Sequence, residues 1–401
     1  MSRRGLVILV VALVVLGVLV AVNQREQSPA TTVGAPIVPG LQEALNDVER
    51  VAVVKAGGET VATLQKRDDA WVVSEKADYP ADVAKLRKSL RAIAEAKIRE
   101  TKTANPEFYD RLGVLDPADE KATGVAVSIT APGKDFGTLI LGDAEGTKQR
   151  YARRASEPQS YLIDRDPEVP KNASQWLDAR ILDVRGDRVQ QVTIRQADGE
   201  TVTVSKPNRE AANFDVAAIP KGRELLYPGV ANVIGSALRE LNLEDVERAD
   251  GAAGERPVVV EFKTFDGLVV RATGAQRGDD KWLTFEASVD AEQAAKFPAP
   301  AAPGSDAAAA PAGNDGEQPA AASGSSEAAP AADAAAPAAD AAAPAASAAA
   351  AGGEQQPAAG PDPAAEAQRI NERVGGWRYK IASFQYDQMT RRMADLLKPV
   401  G

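Results

Sequence analysis

The sequence predicts an α+β protein of repeated β-hairpin/strand/helix units with mainly antiparallel sheets, plus one N-terminal transmembrane helix. Three observations predict it. An unbroken apolar run extends from Leu6 to Val22. A stretch that begins at Val48 recurs at Val189 and, more weakly, near Val258. Each copy alternates apolar and polar residues, turns at a glycine, alternates again, and then carries an apolar stripe at helical spacing.

The apolar run follows Ser2-Arg3-Arg4. At 1.5 Å per residue it forms a helix of roughly 25 Å, close to the hydrocarbon thickness of a bilayer. A cleaved signal peptide is the competing reading, but Ala21-Val22-Asn23 is a poor cleavage site. The sequence therefore predicts a short cytoplasmic N-terminus (1–5), a span (6–22) and a juxtamembrane linker (23–46). Arg3 and Arg4 hold the short end inside. The bulk of the chain is then periplasmic or otherwise extracytoplasmic, on a single-pass protein of the inner (cytoplasmic) membrane.

The first unit covers 47–104. Val48, Val51 and Val53 alternate, Gly57-Gly58 turns the hairpin, and Trp71-Val72-Val73 supplies a third strand. Val83, Leu86, Leu90 and Ile93 then mark one face of a helix. An inserted β-rich segment (105–187) follows. Its strands are read at Val125–Ile129, Gly137–Leu141, Gln149–Arg153 and Tyr161–Ile163, with turns at Gly142-Asp143 and Glu157-Pro158. A helix is expected from about Pro167 to Asp178, with Trp176 and Leu177 facing inward.

The second unit (188–250) repeats the pattern. Val189, Val192 and Ile194 match the first copy, and Gly58-Glu59-Thr60-Val61 reappears as Gly199-Glu200-Thr201-Val202. Its helix is expected to carry Val230, Val233, Ile234, Leu238 and Leu241. The third unit is split between 251–297 and 369–398. Trp377–Ile381 is its last strand and Met389, Met393, Leu396 and Leu397 its helix. Between the two parts lies 298–368, rich in Ala and Pro. Nothing in it buries enough surface to offset the entropy of ordering, so it reads as a disordered insertion.

Composition excludes several chemistries. Among 401 residues there is neither Cys nor His, so disulfides, thiolate nucleophiles, Cys/His zinc sites and Ser-His-Asp triads are ruled out. Asp+Glu 57 against Lys+Arg 47 gives a net charge of −10, which argues against nucleic-acid binding. No phosphate-binding glycine loop or nucleophile elbow occurs, and no catalytic residue, cofactor or metal is expected.

The best acidic cluster is Asp164-Arg165-Asp166-Pro167-Glu168. It lacks the spacing of a calcium loop, and Asp166 before Pro167 reads as a helix cap. Asp68-Asp69 and Asp279-Asp280 read as turn acids. A basic run surrounds Tyr151. On a strand, Tyr151 and Arg153 share a face while Arg150 takes the other. Tyr151, Arg153 and Arg154 form a weak candidate binding surface for an anionic headgroup or an acidic partner; a solvated sheet face is the plainer reading.

The order of these features resembles a bacterial family described only as a domain of unknown function. The residues that carry the resemblance are Leu141-Gly142-Asp143 leading to Tyr151-Ala152-Arg153, then Tyr161-Leu162-Ile163, Trp176–Leu182, Val189–Ile194 and Gly376–Ile381. The resemblance implies an N-terminal anchor and repeated β-β-β-α units, with genes commonly placed beside ABC-transporter parts of the gliding-motility type. It implies a non-enzymatic accessory subunit that touches the transporter's membrane subunits, and it brings no catalytic residues. A binding module for an envelope polymer or lipid is the alternative. A hydrolase with paired carboxylates ranks third, because it needs acids from different units to converge.

Overall fold

A computed structural model describes residues 33–250, 257–278, 280–296 and 362–399. The span expected at 6–22 lies outside the described residues, as does most of the Ala/Pro tract. Among the described residues no helix is long and apolar enough to cross a membrane.

The fold is mainly β. Two nine-stranded sheets, antiparallel at every pairing, replace the expected α+β arrangement of three helix-bearing units. The first sheet contains β1 (Arg50–Val54), β2 (Thr60–Arg67), β3 (Ala70–Val73), β4 (Tyr79–Pro80), β5 (Ile98–Thr101), β6 (Val125–Ala131), β7 (Lys134–Glu145), β8 (Gln149–Arg154) and β9 (Ser160–Ile163). Its order is β4-β3-β2-β1-β6-β7-β8-β9-β5. The second contains β10 (Arg180–Leu182), β11 (Val189–Arg195), β12 (Thr201–Ser205), β13 (Asp215–Val216), β14 (Leu241–Arg248), β15 (Val258–Thr264), β16 (Leu268–Arg277), β17 (Asp280–Val289) and β18 (Trp377–Ile381). Its order is β10-β14-β18-β17-β16-β15-β11-β12-β13.

Read from β13, the second order retraces the first. β11, β12 and β13 take the places of β1, β2 and the β3/β4 edge. β15 to β18 take those of β6 to β9, and β14 that of β5. Even β10 has a counterpart, since Pro36 bridges Lys97 just before β5. The chain thus holds two like sheets, not three units. The stretch at Val258 is the equivalent of β6, a mid-sheet strand. It resembled Val48 only because every half-buried strand alternates in the same way.

Helices are few and mostly short. α1 (Val83–Ala94) is the one that matches its expected stripe, burying Leu86, Leu90 and Ile93 behind an Asp82 cap that accepts from the Lys85 amide. It carries the chain from the β4 edge of the sheet to β5 at the opposite edge. The second expected helix shrinks to α2 (Asn232–Gly235). Leu241 instead starts β14, where Leu241 and Leu243 alternate with polar residues and face the core. α3 (Ala291–Lys296) closes β17, and α4 (Pro363–Val374) packs on β16 and β17. The predicted insertion therefore ends before Pro363, because Asp362 caps a helix that buries Ala367 and Ile370. The last expected helix divides into α5 (Ser383–Met389) and α6 (Met393–Leu396).

Other expectations are corrected locally. No helix forms over 167–178; a single turn at Ala173–Trp176 suffices to bury Trp176 and Leu177. Gly142-Asp143 lies within β7 and is not a turn. The linker assigned to 23–46 is in part folded: Ile37 and Leu41 are fully buried. Asp68 and Asp69 both take positive φ at the β2–β3 hairpin, as an I′-type turn requires.

One continuous apolar core runs through both halves. They meet at the β4 edge. Tyr79 stands edge-on to Trp377 at 4.9 Å and to Tyr379 at 6.1 Å between ring centroids. Around these rings Lys76 pairs with Asp245 at 2.5 Å, and Ser174 Oγ donates to the same carboxylate at 2.9 Å. Ala81 bridges Leu177, so the linker between the sheets is stitched to the same edge.

Candidate functional site

The sequence singled out Tyr151, Arg153 and Arg154 on β8. The alternation places Tyr151 and Arg153 on the face expected, but that face is covered. The loop between β5 and β6 folds back over it, bringing Tyr109 and Val114 onto Ala126 and Ile140. Arg153 is buried beneath this loop. Its guanidinium lies 4.6 Å from the Tyr109 ring and donates to the Val114 carbonyl at 3.0 Å and the Glu157 carbonyl at 3.3 Å. Tyr151 donates to Glu145 at 2.9 Å, and Lys102 sits over its ring. Burial and that carboxylate raise the Tyr151 phenol pKa. Arg154 points the other way, to the Ile37 carbonyl at 2.7 Å and to Glu157 at 3.1 Å. The three residues do not form one surface; each holds a segment of the fold in place.

The Leu141-Gly142-Asp143 motif serves the same loop. A Cβ on Gly142 would come within 2.1 Å of the Leu112 carbonyl oxygen, so only glycine lets the loop lie on β7. The acidic cluster is also divided among partners. Asp164 accepts from the Lys97 amide at 2.8 Å, Asp166 pairs with Arg150 at 2.5 Å, and Glu168 pairs with Lys88 at 2.9 Å. Asp166 caps no helix; it fixes the start of the linker to β8. Among the described residues no group of three or more acidic side chains is placed to hold a metal ion.

A site that sequence reasoning missed lies on the outer side of the first sheet, between α1 and the β2–β3 hairpin. Its floor is apolar: Val48, Leu86 and Leu90 are at most 4% exposed. Trp71 forms one wall. Lys66 stands directly opposite Trp71 in the hairpin register, with its ammonium 5.7 Å from the ring centroid. Arg87 and Arg91, one turn apart on α1, line the other side. The cavity measures about 160 Å³ and no carboxylate lines it. Among the described residues neither arginine makes an ion pair.

The second sheet has a cleft in the same place. Lys66 donates its amide to the Glu49 carbonyl at 2.9 Å; Lys206 donates its own to the Gln190 carbonyl at 2.7 Å. Lys206 lies 4.8 Å from the Phe214 ring, as Lys66 lies over Trp71. This cleft is wider, about 680 Å³, and its charges are balanced. Asp183, Asp187 and Glu240 line it beside Arg185 and Arg239, and Arg185 pairs with Asp187. The signal available in the sequence was the pair Arg87 and Arg91 one turn apart; Glu95, four residues after Arg91, could have paired with it, but the structure gives that carboxylate to Arg165.

No curated protein and no solved structure showed a match to the chain. A family model described as Domain of unknown function (DUF4340) matches residues 71–256, from β3 of the first sheet through β14 of the second and a few residues beyond it.

Proposed function

We propose that this protein is a non-enzymatic accessory subunit of an ABC transport system of the gliding type, held at the membrane by its N-terminal apolar run and working outside the cytoplasm through protein contacts. The observation that carries the reading is apolar surface at one end of the second half. Leu226, Tyr227 and Phe384 are 44%, 50% and 63% exposed. All three lie on segments by which the C-terminus is laced back onto the body: Leu225 bridges Leu397, Leu226 donates its amide to Leu396, and α5 packs near α2. Large side chains left in water beside a buried, hydrogen-bonded support suit a contact with another protein. The resemblance described above supplies the partner class, the membrane subunits of the transporter.

Affinity purification of the full chain from gently solubilised membranes, with mass spectrometry, tests this. Stoichiometric recovery of an ABC ATPase with its membrane subunits is expected, and its loss when Leu226, Tyr227 and Phe384 are all changed to Ser. Recovery of the chain alone, from several detergents and after crosslinking, would overturn it. The acid-free cleft beside α1 favours a second reading, a binding module for an envelope polymer or lipid.

A further inference from the structure

We infer that the cleft between α1 and the β2–β3 hairpin binds a phosphate ester carried on an apolar chain, that is, the headgroup region of an anionic phospholipid. Two independent observations point to a ligand. First, Lys66, Arg87 and Arg91 converge on one cavity with no carboxylate in its lining. Like charges one turn apart on a helix repel, and a fold that keeps two arginines there unpaired gains only when an anion arrives. Second, the equivalent cleft of the other sheet keeps the lysine and the aromatic ring but fills its rim with acids. Of two clefts built on one plan, only the first has kept its positive charge uncompensated.

The chemistry of the lining narrows the ligand. Guanidinium groups match phosphate oxygens in a bidentate fork, and Lys66 adds a point charge from across the cavity. Below the cations the floor is aliphatic and Trp71 gives a flat wall, so a free inorganic anion would leave it unfilled. About 160 Å³ takes a group the size of a short stretch of acyl chain or glycerol backbone. Location agrees, and here the inference rests on the membrane-tethered reading. Asn46 and Val48 line the cleft, and the described fold starts at Val33, eleven positions after the end of the apolar run at Val22. At ~3.5 Å per residue that interval spans at most about 40 Å, which keeps the folded body, entered at the β5 edge, near the bilayer surface.

The test uses the full chain in dodecyl maltoside, titrated with dihexanoyl phosphatidylglycerol, dihexanoyl phosphatidylcholine or inorganic phosphate. Tryptophan fluorescence is the readout, because Trp71 is the tryptophan in the cleft while Trp176, Trp282 and Trp377 are at least nine-tenths buried. Saturable change with the anionic lipid is expected, at least tenfold weaker with the zwitterionic lipid and with phosphate. Arg87→Gln with Arg91→Gln should weaken binding at least tenfold at unchanged urea midpoint, since both side chains are exposed. Trp71→Phe should abolish the optical signal while calorimetry still detects binding. Equal response to the two lipids, a response to phosphate as strong as to lipid, or indifference to the double substitution would overturn the inference. The assay reads the cleft whether or not the N-terminal run is embedded. Extraction of the chain from native membranes by alkaline carbonate would refute the tether alone.

Discussion

Replacing Tyr79 by alanine removes the ring at which the two sheets meet. Tyr79 is 2% exposed and stands edge-on to both Trp377 and Tyr379. Truncating a buried aromatic to alanine costs about 3–5 kcal/mol in transfer and cavity terms. Two edge-to-face partners, each worth about 0.5–1.5 kcal/mol beyond area, place this site in the upper part of that range, near 4–5 kcal/mol. Tyr79→Phe keeps the ring and loses only the buried hydroxyl, so about 1 kcal/mol is expected. Urea unfolding followed in parallel by tryptophan fluorescence and far-ultraviolet dichroism checks both. Because the core is continuous, the parent chain should give coincident transitions. Tyr79→Ala should lower the midpoint and separate the two probes, as one half comes apart before the other. A loss below about 1 kcal/mol for the alanine variant, with the probes still coincident, would refute the view that this ring couples the halves.

Four further outcomes follow from the same structure. Burial raises the pKa of both Tyr79 and Tyr379 above the ordinary phenol value. Their contribution to stability is therefore complete below about pH 10 and declines as pH rises beyond it, where the unfolded chain sheds protons that the folded chain retains; urea midpoints between pH 8 and 11.5 will show the fall. Arg188 is held between Asp266 at 2.9 Å and Glu366 at 2.7 Å, all three at most 15% exposed. Arg188→Ala leaves two carboxylates without their cation and should cost about 3–5 kcal/mol by urea denaturation, with α4 losing hydrogen-exchange protection first. Arg153→Ala should free the loop between β5 and β6, so that trypsin cuts at Arg111 or Lys121 at least tenfold faster while the second sheet stays protected. Asp82→Ala removes the α1 cap and should cost about 1 kcal/mol by the same denaturation assay.

Much of the strand content was legible because alternation is a local signal. Val125–Ile129, Gln149–Arg153, Tyr161–Ile163 and Trp377–Ile381 all fall within observed strands. Strand order was not legible. The stretches that begin at Val48 and Val258 alternate alike, yet one leads into β1 and the other fills the place of β6, because order is set by contacts far apart in the chain. Helix length failed at Leu238–Leu243 for a related reason. The residues suit either period, and pairing of β14 with β18, from the other side of the tract, decides for a strand. The candidate patch failed through a covering loop. Tyr109 and Val114 lie well upstream of β8, and nothing at Arg153 itself announces that its guanidinium will be roofed over. The cleft stayed hidden because its lining comes from three separate stretches, near Val48, Trp71 and Arg87.

The place of β18 also fixes a schedule for biosynthesis. In the first sheet, β8 and β9 are joined by the short turn 155–159, and all nine strands have been made by Ile163. In the second, the corresponding connection is residues 290–376, and the strand beyond it inserts between β14 and β17. At ~5–20 residues per second, the ribosome takes roughly 5–20 s to cross that interval. Throughout it the nascent chain carries a finished first sheet beside a second one parted between β14 and β17, with an open edge on each of those strands. The strand that mends the gap is therefore made only after that whole interval has been crossed. A polypeptide truncated anywhere in the Ala/Pro tract would keep that gap for good, with Tyr79 facing no ring from the second half.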